Sequence, residues 1–192
     1  GLAVATRADC INDECLDLLS ELSEKTYLVV ELGLQTIHDV TANHINRCHS
    51  YAEFLETYRR LTDRNINVCI HIINGLPGES TEMMLQTAEI LGKMRPDGVK
   101  IHLLHVIKGT PLAGMYISGE YTPMERESYI ETVVKQLEYL PPETVIERLT
   151  GDGGRDSLLA PLWSLDKRAV LGGVMKRQKQ LDSIQGLRFQ EG

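Results

Sequence analysis

Six side chains able to bind or move charge fall where apolar runs end: Thr6 and Arg7 after LAVA, Glu31 and Gln35 in YLVVELGLQT, His71 in VCIHIINGLPGES and His105 in VKIHLLHVIKGT. Glu31, Gly33 and Gln35 alternate along their run, so Glu31 and Gln35 point the same way. A carboxylate and an amide placed together grip a ligand's ammonium, hydroxyls or carboxylate. Arg47, in INRCHSY (45–51), sits on a loop between two helical stretches, where a guanidinium facing that tip would clamp a carboxylate through two bonds. Plain structural roles compete with each reading: Gln35 as a helix cap, Glu31 in an ion pair, Arg47 as one more surface arginine.

GLPGES (75–80) has its own logic. Gly75 and Gly78 let the backbone take positive φ or approach a ligand, Pro77 stiffens the turn, and Glu79 with Ser80 opens the next helix. A flat group can lie against such a backbone and bond its peptide edges, although a tight strand-to-helix turn would also use the glycines. His71, four residues earlier, needs a partner if it is buried. His102 and His105 differ in parity, which places them on opposite sides of a strand. These histidines do not have the spacing of a metal site.

The elements that must hold these residues alternate between strand-length apolar runs and segments of helical period, the pattern of βα units and a parallel sheet. Strands are predicted at 2–6, 27–32, 67–73, 99–105 and 144–149. Asn12 and Asp13 cap a first helix with Leu16, Leu18, Leu19 and Leu22 as its buried side. Helices follow at about 37–44 and 51–64, and Ser80 caps another with Met84, Ala88 and Leu91 on one stripe. Residues 109–119 read as an irregular loop with a turn or two of helix, Pro123 starts a helix to about 139, and GDGGRD (151–156) reads as a Gly-rich loop. A terminal helix spans about 166–182, with Val170, Val174 and Leu181 on one side. The fold class is α/β, with residues 1–149 as the barrel or sheet part and 150–192 as a Gly-rich loop and helical extension. Periodicity alone leaves an open sheet and a partial barrel equally available. A complete eight-unit barrel needs about 250 residues, and Gly1–Val4 forms an unblunted edge strand, so a preceding element is expected.

With 192 residues, 42% hydrophobic and 24% charged, the chain can bury a real core. No apolar run approaches the roughly 20 residues of a membrane helix, and no signal segment opens the chain, so a cytoplasmic protein with no membrane partner is expected. Cys10, Cys15, Cys48 and Cys69 lack a disulfide framework and read as reduced residues. A net charge of -7 argues against duplex nucleic acid as the main partner. The stretch from Ser164 onward is nevertheless basic, so its helix is either a solvated face or a contact for RNA or an acidic partner through Lys176, Arg177 and Lys179.

TRADCI, VELGLQT followed by INRCHSY, IHIINGLPGES, VKIHLLHVIKGTPLAGMY and the closing ERLTGDGGRDSLLAPLWSLDKRAVL, in that order, resemble the second half of a radical S-adenosylmethionine (radical SAM) enzyme core. The nearest likeness is to an uncharacterised bacterial branch related to the Elongator catalytic subunit and to oxygen-independent coproporphyrinogen oxidase, and it covers nearly the whole chain. The resemblance implies a partial, six-stranded (β/α) barrel in which a [4Fe-4S] cluster, fed by a reductant such as flavodoxin or ferredoxin, cleaves SAM to a 5'-deoxyadenosyl radical that takes hydrogen from an unknown substrate. It implies that Gln35 and Arg47 hold the methionine part, with Arg47 on its carboxylate. Glu31 and His71 would lie near its amino or ribose groups, the backbone around Gly75, Leu76 and Pro77 would border the adenine, and Thr6 and Arg7 would line the same cavity. Lys100, His102 and His105 are candidates for substrate contacts.

Two departures stand out. The family holds its cluster with a Cys-x3-Cys-x2-Cys loop, and no such spacing occurs here, so the chain is expected to be a fragment lacking the first βα units and to be inactive alone. Cys48 stands where glycine is common after Asn-Arg, and its side chain is expected to crowd the Arg47 loop. A metal-dependent barrel hydrolase or lyase using Glu31, His71 and His105 is the alternative enzyme, and an RNA- or partner-binding module is the non-catalytic one.

Overall fold

The computed structural model describes residues 1–151 and 153–190; Asp152 of the predicted Gly-rich loop and the terminal Glu191 and Gly192 lie outside the described residues. Strands β1 (Leu2–Thr6), β2 (Leu28–Gln35), β3 (Asn67–Asn74), β4 (Gly98–Leu103) and β6 (Val145–Arg148) form one parallel sheet in the order β1-β2-β3-β4-β6. The helices are α1 (Asp13–Lys25), α2 (Asp39–His44), α3 (Tyr51–Thr62), α4 (Thr81–Met94), α5 (Pro111–Ser118), α6 (Arg126–Tyr139) and α7 (Lys167–Leu181). Two short strands, β5 (Val106–Ile107) and β7 (Leu158–Ala160), pair antiparallel outside the main sheet.

Alternation on the strands decides which face the helices cover. Leu28, Val30, Leu32 and Leu34 of β2 are fully buried, as are Val68, Ile70 and Ile72 of β3 and Val99 and Ile101 of β4. They form one core with Leu16 and Leu19 of α1, Phe54 and Leu61 of α3, Leu91 of α4, Val133 and Leu137 of α6, and Val170 and Val174 of α7. Full burial of one such side chain stabilises the fold by about 1.5–3 kcal/mol. Between α6 and β3 the buried amides of Asn74 and Gln136 bond to each other at 2.7 and 2.9 Å, so neither is left unsatisfied.

Caps fix where the helices start. Asn12 accepts from the Cys15 amide at 2.8 Å, Ser50 and Glu53 form a capping box, and Ser80 accepts from Met83. Each such cap contributes about 1 kcal/mol. The boundaries depart from the sequence reading at several places. β2 runs on to Gln35, β4 stops at Leu103, and the helix after Pro123 begins at Arg126. Leu18 is 56% exposed and Leu181 41% exposed, so neither joins the buried stripe expected of it. The β5–β7 clasp was not expected, because two- and three-residue strands carry no readable period.

Candidate ligand site at the strand tips

The uncovered face of the sheet carries the polar side chains. Register places Glu31 beside Cys69, Gly33 beside His71, and His71 beside Lys100. Lys100 Nζ lies 2.6 Å from Glu31 Oε2 and 3.3 Å from Glu147 Oε2, and His71 Nε2 lies 3.0 Å from the same Glu31 oxygen. The His71 ring is turned so that this approach is not a well-aligned hydrogen bond. The bond from Lys100 holds the Glu31 carboxyl below the usual range. Burial works against the charge on Lys100, but its two carboxylates outweigh it and raise its pKa. Cys69 is buried beside Glu147, and both effects push its thiol up, which makes it an inert packing residue.

Above this group the strands end in a cavity of about 290 Å³ lined by Gln35, His71, Ile73, His102, Leu104, His105 and Gly151. The His71 and His102 rings are 5.1 Å apart between centroids. His102 and His105 therefore line the same cavity, contrary to their parity. The strand stops at Leu103 and the Leu104 amide turns back to the Asn74 carbonyl at 2.9 Å, so alternation no longer governs His105. Burial, followed by His71, Arg148 and Lys100, pushes His102 down to about 4. Burial and then Lys167 lower His105, and burial and then Lys100 lower His71. The Nε2 atoms of His102 and His105 are buried without a hydrogen-bond partner among the described residues.

Gln35 reaches this cavity through an irregularity at the end of β2, with φ +62° and a register shift between Gly33 and Gln35. Its amide folds over Gly33, where a Cβ would lie 2.5 Å from Nε2. Arg47 supports that tip from behind. Its guanidinium donates to the carbonyls of Thr36 at 2.5 Å, Leu34 at 2.7 Å and His49 at 2.9 Å, and meets Asp39 at 3.2 Å. With its side chain 2% exposed, Arg47 does not open onto the cavity. Cys48 adopts φ +73°, the left-handed region that favours glycine, but its side chain is exposed and does not crowd the loop.

A second cavity of about 370 Å³ adjoins the first through Ile73 and Leu104 and is lined by Leu76, Pro77, Thr110, Leu112 and Met115. Gly75 itself is committed to the turn, with φ +84°, its amide on Met84 Sδ at 3.3 Å and its carbonyl accepting from Tyr121 at 2.7 Å. Glu79 accepts a 2.5 Å bond from Thr36, tying the β2 and β3 tips together, and burial raises its pKa.

The structure brings Gln35 and His71 to the first cavity and Leu76 and Pro77 to the second, sets Glu31 beneath them against His71 and Lys100, and leaves Thr6 and Arg7 apart from both cavities. Thr6 pairs in register with Leu32 and so takes the parity of the helix side, while Arg7 turns to Asp9 at 2.6 Å. Sequence reasoning missed Glu147, whose signal was its place in TVIERL, and the α5 residues that wall the apolar cavity. Among the described residues no three His, Cys, Asp or Glu side chains are placed to hold a metal ion, which speaks against the alternative reading of a Glu31, His71 and His105 metal centre. Of the three basic residues singled out on α7, Arg177 is tied to Glu131 at 2.5 Å.

Residues 1–91 match the family described as Radical SAM superfamily, and residues 96–180 match the Radical_SAM C-terminal domain. The uncharacterised protein YtqA of Bacillus subtilis is 45% identical over 190 residues, covering 99% of this chain and 59% of that protein. Protein YhcC of Escherichia coli is 42% identical over 164 residues, covering 85% of this chain and 53% of that protein. The chain thus spans between half and three-fifths of the length of these relatives. The archaeal Methanocaldococcus infernus Elp3 structure superimposes with a TM-score of 0.83 at 24% identity, covering 96% of this chain and 43% of that one. The likeness makes the five-stranded sheet a partial barrel whose uncovered face is the barrel interior.

Proposed function

The chain belongs to the radical SAM superfamily, and from that premise we propose that it forms the SAM-holding part of an enzyme acting on a substrate in the barrel interior. The observation that carries this reading is the pair of adjacent cavities at the strand tips, one lined mainly by apolar and one by polar side chains, with Ile73 and Leu104 lining both. A purine fits the apolar cavity against the Leu76–Pro77 backbone, and the open amide of Gln35 and the ring of His71 face the ribose and methionine groups. Arg47 acts through Gln35: by holding the Leu34 and Thr36 carbonyls it fixes the tip from which the amide projects. Glu31, fixed by Lys100, keeps the wall beneath His71 charged and ordered.

When bound and reductively cleaved, SAM supplies a 5'-deoxyadenosyl radical for hydrogen abstraction. The cysteines of this chain do not fit a [4Fe-4S] cluster: Cys10, Cys15 and Cys48 are exposed without the three-cysteine spacing, and Cys69 is buried on another element. No electron-transfer step is therefore assigned to these residues, and the cluster ligands of the active enzyme lie outside them.

Calorimetric titration of SAM into the chain tests the cofactor site. Leu112→Trp, which fills the apolar cavity, is expected to weaken binding at least about tenfold, and absence of SAM binding by the unaltered chain would sink the reading. For a protein of the relatives' length, reconstitution with iron and sulfide followed by reduction is expected to yield 5'-deoxyadenosine.

A further inference from the structure

We infer that His102 and His105 form a subsite for an anionic oxygen group of the substrate, a carboxylate or phosphate, beside the SAM site. The inference rests on the proposed cofactor reading only in calling this end of the polar cavity the substrate's.

Two observations converge. Both Nε2 atoms are buried without a partner among the described residues on the wall of one cavity, a condition that costs free energy unless a ligand or water supplies the missing bond. The charged groups acting on them are cations: Arg148 of β6 and Lys100 of β4 on His102, and Lys167 of α7 on His105. Among the described residues the nearby carboxylates are engaged elsewhere, Glu31 by Lys100 and His71, and Glu147 by Lys100. An imidazole donates from Nε2 in the appropriate neutral tautomer and from both nitrogens once protonated, so the subsite is built for acceptor oxygens. Gly151 is part of the fit, since a Cβ there would lie 2.6 Å from His105 Cε1.

An anion at this point offsets the burial and the neighbouring cations that keep the two rings neutral, so binding draws in a proton. Affinity then rises as pH falls, with Glu31, Gln35, His71, Lys100, Arg148 and Lys167 as the surrounding polar groups.

The test titrates sulfate, which does not itself change charge near neutrality, and acetate into the full chain by calorimetry, with and without saturating SAM. Sulfate or acetate is expected to bind one to one and progressively more tightly as pH is lowered from about 7 to about 5, approaching tenfold per unit below the free-imidazole value of about 6.5. His102→Gln and His105→Gln, each checked for an unchanged circular dichroism spectrum, are expected to weaken binding at least about tenfold and flatten that pH dependence. Preference for sulfate or for acetate assigns the substrate group to the phosphate or the carboxylate class. Binding of neither anion, binding that ignores both substitutions, or displacement of the anion by SAM would overturn the inference, the last because the donors would then belong to the cofactor's own carboxylate. SAM binding without anion binding leaves the cofactor reading standing and removes this one, and the opposite result does the reverse.

Discussion

Glu31 and Lys100 meet at 2.6 Å although they belong to strands that are not neighbours: β3 runs between them, and the contact passes over its His71 side. Because Glu147 reaches the same ammonium at 3.3 Å, Lys100 ties three strands across the barrel interior. Lys100→Met leaves two half-buried carboxylates facing each other, and the expected loss is about 2–4 kcal/mol, read as a lower urea midpoint. Glu31→Gln in the same background is expected to recover part of it, giving a coupling energy in a double-mutant cycle. The pH dependence has two limbs. Glu31, depressed in the fold, contributes stability that is present above its unfolded value of about 4.3 and lost as pH falls through the lower folded value. Lys100, raised in the fold, contributes below about 10.4 and loses its contribution as pH rises through its higher folded value. An unchanged midpoint for Lys100→Met would remove the pair from the support of the fold.

Arg47 is expected to be intolerant of lysine. Its guanidinium serves three carbonyls and Asp39 at once from a position 2% exposed, and an ammonium cannot reproduce that planar fan. Arg47→Lys should cost about 2–3 kcal/mol by leaving buried carbonyls unpaired. It should also weaken SAM binding, because the Leu34–Thr36 segment carrying Gln35 loses its anchor. If the variant keeps full affinity for SAM while losing stability, the positioning role fails and only the structural one remains.

What could be read from the residues follows from the range of the forces involved. The side on which Glu31 and Gly33 sit was legible because period-two alternation is local to a strand, whereas Gln35 reaches the cavity through a positive-φ irregularity that alternation does not predict. The common cavity of His102 and His105 was not, because the end of β4 is fixed by the bond from Leu104 back to Asn74 and by the clasp between Val106 and Ala160, contacts distant in sequence. Arg47 was legible as a residue near the tip, but whether a guanidinium meets a ligand or a carbonyl is decided by how two loops pack. Leu18 and Leu181 fell on plausible helical stripes and are exposed, since a stripe states a direction and not the width of what covers it.

Two glycine substitutions separate binding from folding. At Gly33 a Cβ meets only the far end of the Gln35 side chain, which can swing aside, so Gly33→Ala should change stability by less than about 1 kcal/mol while displacing the amide and weakening SAM binding. At Gly92 a Cβ would lie 2.2 Å from the backbone carbonyl oxygen of Tyr139, where α4 and α6 close on each other. Gly92→Ala should therefore cost about 3 kcal/mol or more, by overpacking that only a helix shift relieves. Thermal melts and SAM titrations of both variants check the contrast, and equal melting losses would refute it.

His102 gives the chain an acid-sensitive element in the absence of bound anions. In the unfolded chain it protonates near about 6.5, whereas in the fold its value is pushed down to about 4. Between these two values the unfolded state binds the extra proton, so stability increases with pH there and declines on acidification. The full contribution is present above about 6.5 and is lost as pH falls to about 4, with a magnitude on the order of 2–3 kcal/mol. His102→Gln cannot titrate, so its stability should fall less than that of the unaltered chain between these limits, measured by urea denaturation in an anion-poor buffer. His105 acts in the same direction, and the double substitution should flatten the profile further. Saturating sulfate should also flatten the unaltered chain's profile, because an anion between the rings raises their folded values toward the unfolded one. Parallel acid profiles for the unaltered chain and His102→Gln would show that the ring is not held neutral by its burial and by Arg148 and Lys100.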